Sequence, residues 1–132
     1  MPDKTILISE QDRQRIEQLM LFCDLFKEQE KRNIRKLHYD ASRGRVVSPE
    51  DMPADVATPR SHIVLRDVAT GREFDLTLVF PEEAEAHPNP VSILTPMGAA
   101  LMGRKTGETI EDRTAAGIRR LTIAAIAPPQ RP

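Results

Sequence analysis

Proline is distributed so unevenly along this 132-residue chain that it divides the expected fold in two. Apart from Pro2, no proline precedes Pro49, and all the others follow it. Proline breaks a helix interior because it lacks an amide hydrogen and clashes with the preceding turn. The charge changes at the same place, since residues 27–45 hold seven basic and three acidic side chains and the remainder leans acidic. The two shifts predict a boundary within Val46–Pro53, and we divide the chain into residues 1–48 and 49–132.

The first domain is predicted to be a helical hairpin. Thr5–Ile8 is either an edge strand or an extended lead-in, and Ser9 suits a helix N-cap. Apolar residues then recur at spacings of three and four, as on one face of a helix: Ile16, Leu19, Met20, Cys23 and Phe26. A thinner stripe follows and consists of Ile34, Leu37 and Ala41. The polar stretch between the stripes predicts an antiparallel coiled coil with its tip in Asp24–Asn33, although one long helix also fits the pattern.

The second domain is predicted to be an antiparallel sheet. Four segments combine apolar alternation with β-branched residues: Ser61–Asp67, Arg72–Phe80, Glu108–Asp112 and Ile118–Ile126. Turn residues at Ala69–Gly71 and Ala115–Gly117 join them into two hairpins. Val91–Leu94 adds a short buried strand, which makes four or five antiparallel strands in all.

One short helix is expected between the two β-hairpins. Pro81–Pro90, with three prolines and three glutamates, is predicted to be a solvated loop. Thr95 then suits an N-cap, Pro96 the first helical position and Gly103 the end of the helix. The fold class is therefore α+β, in which a helical hairpin precedes a sheet that carries one short helix.

The composition argues against several kinds of site. A net charge of −1 gives no overall attraction to nucleic acid or to a membrane. Cys23 stands alone, which excludes an intramolecular disulfide, and no segment fits a signal peptide or a membrane span. The histidines lack a metal-ligand spacing and are His38, His62 and His87. We therefore expect a cytoplasmic protein without metal, cofactor or catalytic residues, and so not an enzyme.

Asp24, Glu28 and Glu30, near the predicted tip, are the strongest candidates for chemistry. Carboxylates at the end of a hairpin can supply the oxygen ligands that Mg²⁺ prefers. We prefer the interpretation of a solvated polar turn in which Glu28 pairs with Arg32 one helical turn away. The basic residues of the second helix fit a phosphate backbone, an acidic protein groove or a solvated helix face.

Three segments resemble a known family of bacterial transcription factors. They are Val47–Val56, Ile63–Gly71 and Ser92–Gly103, the last of which contains Thr-Pro-Met-Gly-Ala-Ala-Leu-Met-Gly. Together they resemble the regulators of nucleoside diphosphate kinase (the Rnk type), relatives of the GreA/GreB transcript-cleavage factors. The similarity is strong from Val46 to Gly107 and weak from Phe22 to Arg45.

The resemblance implies an FKBP-like second domain that docks on the rim of the RNA polymerase secondary channel. Thr95, Pro96 and Met97 match the family's docking step. The Rnk type implies a monomer that competes with Gre factors, recognises no nucleic-acid sequence and does not cleave transcripts. Each helical arm has at most about 18 residues, or ~27 Å, and is short for a cleavage factor.

Two other functions compete with this interpretation. One is a Gre-like cleavage factor that acts through Asp24, Glu28 or Glu30. The other is a peptidyl-prolyl isomerase, suggested by the FKBP-like fold. That active site is a pocket lined with aromatic side chains, and Phe74 and Phe80 are the only aromatic residues in the β region. The isomerase is therefore disfavoured.

Overall fold

The chain forms two compact units, one ending at Pro53 and the other beginning at Ala54. Their structure is a computed structural model that describes residues 6–127. We refer to them as the hairpin unit and the sheet unit. The tail predicted to fray, residues 128–132, and Thr5 of the predicted lead-in lie outside the described residues.

The hairpin unit consists of two helices framed by two short strands. Its elements are β1 (Leu7–Ile8), α1 (Glu10–Leu21), α2 (Glu28–Ser42) and β2 (Arg45–Val46). A short 3₁₀ turn at Cys23–Leu25 joins the helices. The two helices contact each other, which confirms the hairpin and excludes the single long helix. β1 and β2 pair in parallel, with Leu7 opposite Arg45.

Both predicted helices are present, but the apolar stripe of the first is less buried than the pattern predicts. Ser9 caps α1, because its Oγ accepts a hydrogen bond from the Asp12 amide at 3.1 Å. Of the first stripe only Ile16 is buried, whereas all of the second stripe is buried. Cys23 was expected in this core, but it lies in the tip turn and is only half-buried. The hydrophobic contact between the helices is therefore concentrated away from the tip.

The sheet unit contains five strands and one short helix. The strands and the helix are β3 (His62–Asp67), β4 (Glu73–Val79), β5 (Pro90–Ser92), α3 (Pro96–Leu101), β6 (Thr109–Thr114) and β7 (Gly117–Ala127). The order across the sheet is β5-β4-β3-β7-β6. β3 with β4 and β6 with β7 are antiparallel pairs, which confirms both predicted β-hairpins and the α+β class.

The sheet is mixed, so the prediction of a wholly antiparallel sheet is wrong. β5 runs parallel to β4, with Thr77 opposite Pro90. The connection between them crosses from one end of the sheet to the other, and two strands joined by such a crossover run in the same direction. Alternation along a strand reports which face is buried and carries no information about direction.

The crossover segment Pro81–Pro90 is solvated as predicted, since none of its residues is buried, but part of it is not an irregular loop. Pro81–Ala86 forms a 3₁₀ helix with proline at its first position. Glu83 accepts a hydrogen bond from the Phe80 amide at 3.3 Å, and its carboxylate lies 3.3 Å from the Arg60 guanidinium. This segment is therefore fixed at both its backbone and its side chains.

The core of the sheet unit is built from residues of the strands together with the segment that runs from the end of β5 through α3. Its largest fully buried side chains include Phe80, Ile63, Leu65, Leu78, Ile93, Leu94, Leu101 and Met102. Burying such side chains contributes most of the stability of a domain of this size. Within residues 6–127, the helices are too short and too polar to cross a membrane.

Candidate interaction surfaces

The predicted docking segment, Thr95–Met97, forms the first turn of α3. The Thr95 hydroxyl accepts a hydrogen bond from the Gly98 amide at 3.1 Å and donates one to the Ser92 carbonyl at 2.7 Å. Thr95 and Pro96 are exposed, and Met97 is half-buried. The segment thus presents a proline ring and an adaptable methionine side chain on a backbone that hydrogen bonds hold in place.

Gly98 explains why α3 can begin so close to the preceding strand. A Cβ atom at this position would lie 2.1 Å from the Ser92 carbonyl oxygen and 2.9 Å from the Ile93 Cα atom. No side chain fits there without moving backbone. Behind it, Leu101 and Met102 are fully buried. The position of the docking segment is therefore set by the core of the sheet unit.

The tip of the hairpin unit carries an apolar surface that sequence reasoning missed. Leu21, Phe22 and Leu25 are 80%, 60% and 83% exposed, and we call them the tip surface. None of the three belongs to the predicted apolar stripe between Ile16 and Phe26. An apolar residue outside such a stripe faces away from the partner helix, and this is how the sequence could have identified them. Exposed large apolar side chains that cluster on a soluble domain commonly mark an interaction site.

The predicted tip carboxylates lie beside this surface and already have partners. The Lys31 ammonium lies 3.5 Å from the Asp24 carboxylate and 3.4 Å from that of Glu28. These contacts raise the pKa of Lys31 above its ordinary value, and the hydrogen bond with Glu28 makes the largest contribution. The expected partner of Glu28, Arg32, is therefore replaced by Lys31, which lies three residues along the helix.

Glu30 is turned towards the backbone. Its carboxylate accepts a hydrogen bond from the Lys27 amide at 3.3 Å, which closes the amino-terminal turn of α2. In the part of the chain that the structure describes, no three His, Cys, Asp or Glu side chains are grouped to hold a metal ion. Glu30 thus closes the first turn of α2, whereas Asp24 and Glu28 form exposed ion pairs with Lys31.

The aromatic side chains of the sheet unit do not form an open pocket. Phe80 is fully buried. Phe74 is half-buried, with the Arg119 guanidinium 5.1 Å from its ring centroid, and Arg119 also contacts Asp112 at 2.8 Å. Neither ring is free to receive a prolyl substrate, which further disfavours the isomerase.

His62, one of the three histidines considered as metal ligands, has a carboxylate partner. Its Nε2 lies 2.7 Å from an oxygen of Asp75 on the neighbouring strand. The His62 hydrogen bond is the main reason that the pKa of Asp75 lies below its ordinary value, and Asn89 adds a further hydrogen bond. The pair links β3, β4 and the start of β5.

The sequence is similar to known transcription factors over most of its length. Residues 52–128 match the family model described as "Transcription elongation factor, GreA/GreB, C-term". The regulator of nucleoside diphosphate kinase of Escherichia coli (strain K12) is 33% identical over 82 residues, which are 62% of this chain and 60% of that protein. Transcription elongation factor GreA of Syntrophobacter fumaroxidans is 33% identical over 61% of this chain and 52% of its own length. The alignments thus span less than two thirds of these relatives.

Solved structures extend the similarity to the hairpin unit. The prokaryotic transcription elongation factor GreA/GreB from Nitrosomonas europaea has a TM-score of 0.80 and 31% identity, over 97% of this chain and 100% of that one. GreA factor homolog 1 of Thermus thermophilus has a TM-score of 0.50 at 22% identity, which shows a shared fold alone. The first match covers helices and sheet together.

Proposed function

The chain belongs to the GreA/GreB transcription elongation factor family, and on this premise we propose that it is a cytoplasmic regulator that binds RNA polymerase. In this proposal it docks on the rim of the secondary channel, competes with Gre factors for that site and cleaves no transcript itself. It acts as a binding protein and not as an enzyme. The known relatives are named as regulators and elongation factors, which supports this class of function.

The side-chain contacts at the hairpin tip support the proposal that the protein does not cleave RNA. Catalysis by carboxylates would require oxygen atoms free to hold Mg²⁺. Here one oxygen of Asp24 and one of Glu28 lie near the Lys31 ammonium, one oxygen of Glu30 accepts a hydrogen bond from the backbone, and the three carboxylates are not grouped around one point that could hold a metal ion. What the tip offers a partner instead is the apolar tip surface, which suits contact with protein.

The lengths of the helices support the same conclusion. α1 has 12 residues and α2 has 15, which correspond to about 18 and 22 Å at 1.5 Å per residue. Both are shorter than the ~27 Å that the sequence allowed. An arm of this reach suits occupation of a channel entrance better than delivery of carboxylates to its far end.

A Gre-like cleavage factor remains the alternative function. Asp24 favours it, because 90% of its side-chain surface is exposed and its contact with Lys31 is long, at 3.5 Å. An exposed ion pair of this kind is weak, and a polymerase-bound Mg²⁺ would compete with Lys31 for the carboxylate.

Docking is tested by the binding of the full chain to immobilised core RNA polymerase. We expect saturable binding, and we expect Pro96→Ala combined with Met97→Asp to weaken it at least tenfold, or about 1.4 kcal/mol. An aspartate in the centre of a small apolar contact adds a desolvation cost. The matched control is Lys105→Ala, an exposed residue just beyond α3. Thermal melts must show that both variants fold.

If the original chain binds and the double variant binds equally well, the docking surface lies elsewhere on the molecule. If the original chain does not bind core polymerase, the proposed function is wrong.

A further inference from the structure

The second helix of the hairpin unit carries a row of basic side chains on the side opposite its core contacts. Ile34, Leu37 and Ala41 are buried and lie together on one side of α2. At about 3.6 residues per turn, residues three, four, seven and eleven positions after Arg32 fall with it on the other side. We call this row the basic face, and it consists of Arg32, Arg35, Lys36, Tyr39 and Arg43.

The charges of the basic face are not neutralised within the hairpin unit. All five side chains are exposed. Arg32, Arg35 and Lys36 form no ion pair with any residue that the structure describes. Arg32 and Lys36 are like charges one helical turn apart, an arrangement that destabilises a helix. The basic face therefore does not contribute to the stability of the hairpin, and its charges remain available to a partner.

The carboxy-terminal end of the basic face is held in place by its aromatic member. The Arg43 guanidinium donates a hydrogen bond to the Tyr39 hydroxyl at 2.6 Å, and its central carbon lies 5.4 Å from the ring centroid. A guanidinium fixed over a ring loses less conformational freedom when it binds an anion. From Arg32 to Arg43 the face extends about 16 Å along the helix, which is long enough to contact several acidic groups.

We propose that the basic face binds an acidic protein surface, one that presents several Asp or Glu carboxylates along the length of α2. The inference rests on the proposed function, in which this surface belongs to the polymerase and lines the entrance of the secondary channel. Arginine binds a carboxylate through two parallel hydrogen bonds, which fix orientation as well as affinity. A positive surface that meets a negative one also speeds association and excludes wrong partners.

The reach of the hairpin favours a protein partner over a nucleic acid. α1 and α2 have 12 and 15 residues, or about 18 and 22 Å. An arm that ends at the channel entrance has the protein wall beside it and stops short of the transcript. The net charge of the whole chain is −1, which gives no long-range attraction to a phosphate backbone. The positive charge is instead local to one helix face, as suits a local acidic surface.

Charge reversal tests the proposal in the full chain, by its binding to core RNA polymerase without nucleic acid. Arg32→Glu combined with Arg35→Glu should raise the dissociation constant at least about tenfold. It should also flatten the dependence of binding on salt, because salt screens exposed charges. The control is Arg72→Glu combined with Arg113→Glu, which makes the same charge change at two exposed residues of the sheet unit and should bind as the original chain does.

A milder variant keeps the test decisive if the reversed one does not fold. Arg32→Gln combined with Arg35→Gln removes the two charges without adding new ones and should weaken binding about threefold or more. Thermal melts show which variants are folded.

The same measurement on an elongation complex separates a protein partner from RNA. Equal losses with and without nucleic acid support the proposal. A loss confined to the elongation complex would identify RNA as the partner and overturn the proposal, and so would folded variants that bind core polymerase as the original chain does. If the original chain itself does not bind core polymerase, the proposed function fails and this inference fails with it.

Discussion

The docking segment and the tip surface are both exposed, but they are supported in different ways. The docking segment continues directly into Gly98, where no Cβ atom fits, and into the buried Leu101. At the tip, by contrast, no residue from Leu21 to Lys27 is fully buried, and Cys23 and Phe26 are only half-buried. A substitution at Gly98, next to the docking segment, is therefore expected to affect the fold. At the tip, a substitution changes the surface and leaves the packing nearly intact.

Gly98→Ala should produce the largest effect that this contrast predicts. Its Cβ would lie 2.1 Å from the Ser92 carbonyl oxygen, and the neighbouring atoms are backbone that cannot rotate away. We expect a loss of about 3 kcal/mol or more in the free energy of unfolding, at the upper end for overpacked sites. Chemical denaturation measures this loss. An unchanged midpoint would show that α3 is not held against the Ser92 turn.

Thr95→Ala should have a smaller effect at the same surface. It removes the hydroxyl that caps the Gly98 amide, and loss of a helix N-cap typically costs about 1 kcal/mol. Thr95→Ser keeps the hydroxyl and should restore most of that stability. If alanine and serine behave alike in denaturation, the capping bond does not contribute to the stability of the sheet unit.

Leu21→Ser combined with Leu25→Ser should have the smallest effect on stability. Exposed substitutions usually change the free energy of unfolding by no more than about 0.5 kcal/mol each, and both side chains are at least 80% exposed. We expect binding to core polymerase to weaken about tenfold, since a few apolar anchors dominate an interface.

The matched comparison for the tip is Ile34→Ala, which truncates a fully buried side chain of the same hairpin. It should cost about 2–4 kcal/mol by opening a cavity. If the tip variant is as destabilised as Ile34→Ala, the tip surface is packed in solution and the contrast between the two surfaces is wrong.

The elements of the fold were predictable wherever one local rule decided them. Spacings of three and four predicted both helices, although the first stripe continues to Phe26 and α1 ends at Leu21. The Thr95-Pro96 pair located the start of α3. The direction of β5 was not predictable, because the alternation along a strand is the same in parallel and antiparallel sheets. The 3₁₀ helix at Pro81–Ala86 depends on contacts of Glu83 with Phe80 and Arg60 that composition does not reveal.

At the candidate sites, the local geometry could be predicted only in part, for a similar reason. The resemblance to a known family singled out Thr95–Met97 for docking, which stays a prediction, whereas the predicted cap by Thr95 is observed. Asp24 lies in the tip turn, and Glu28 and Glu30 lie in the first turn of α2, but any role of these carboxylates stays a prediction. Their partners could not be predicted, because the turn contains neither glycine nor proline to locate it. Placing that turn at residues 22–27 is what exposes Leu21, Phe22 and Leu25 and brings Lys31 to Asp24.

RNA cleavage in backtracked elongation complexes tests the central claim most directly. Labelled complexes are incubated with this protein alone, and then with a fixed amount of GreA and increasing amounts of this protein. We predict no cleavage above background by the protein alone and a progressive loss of GreA-stimulated cleavage. The Pro96→Ala, Met97→Asp variant should fail to inhibit. Strong cleavage by the protein itself, abolished by Asp24→Ala or Glu28→Ala, would contradict the account and identify it as a cleavage factor.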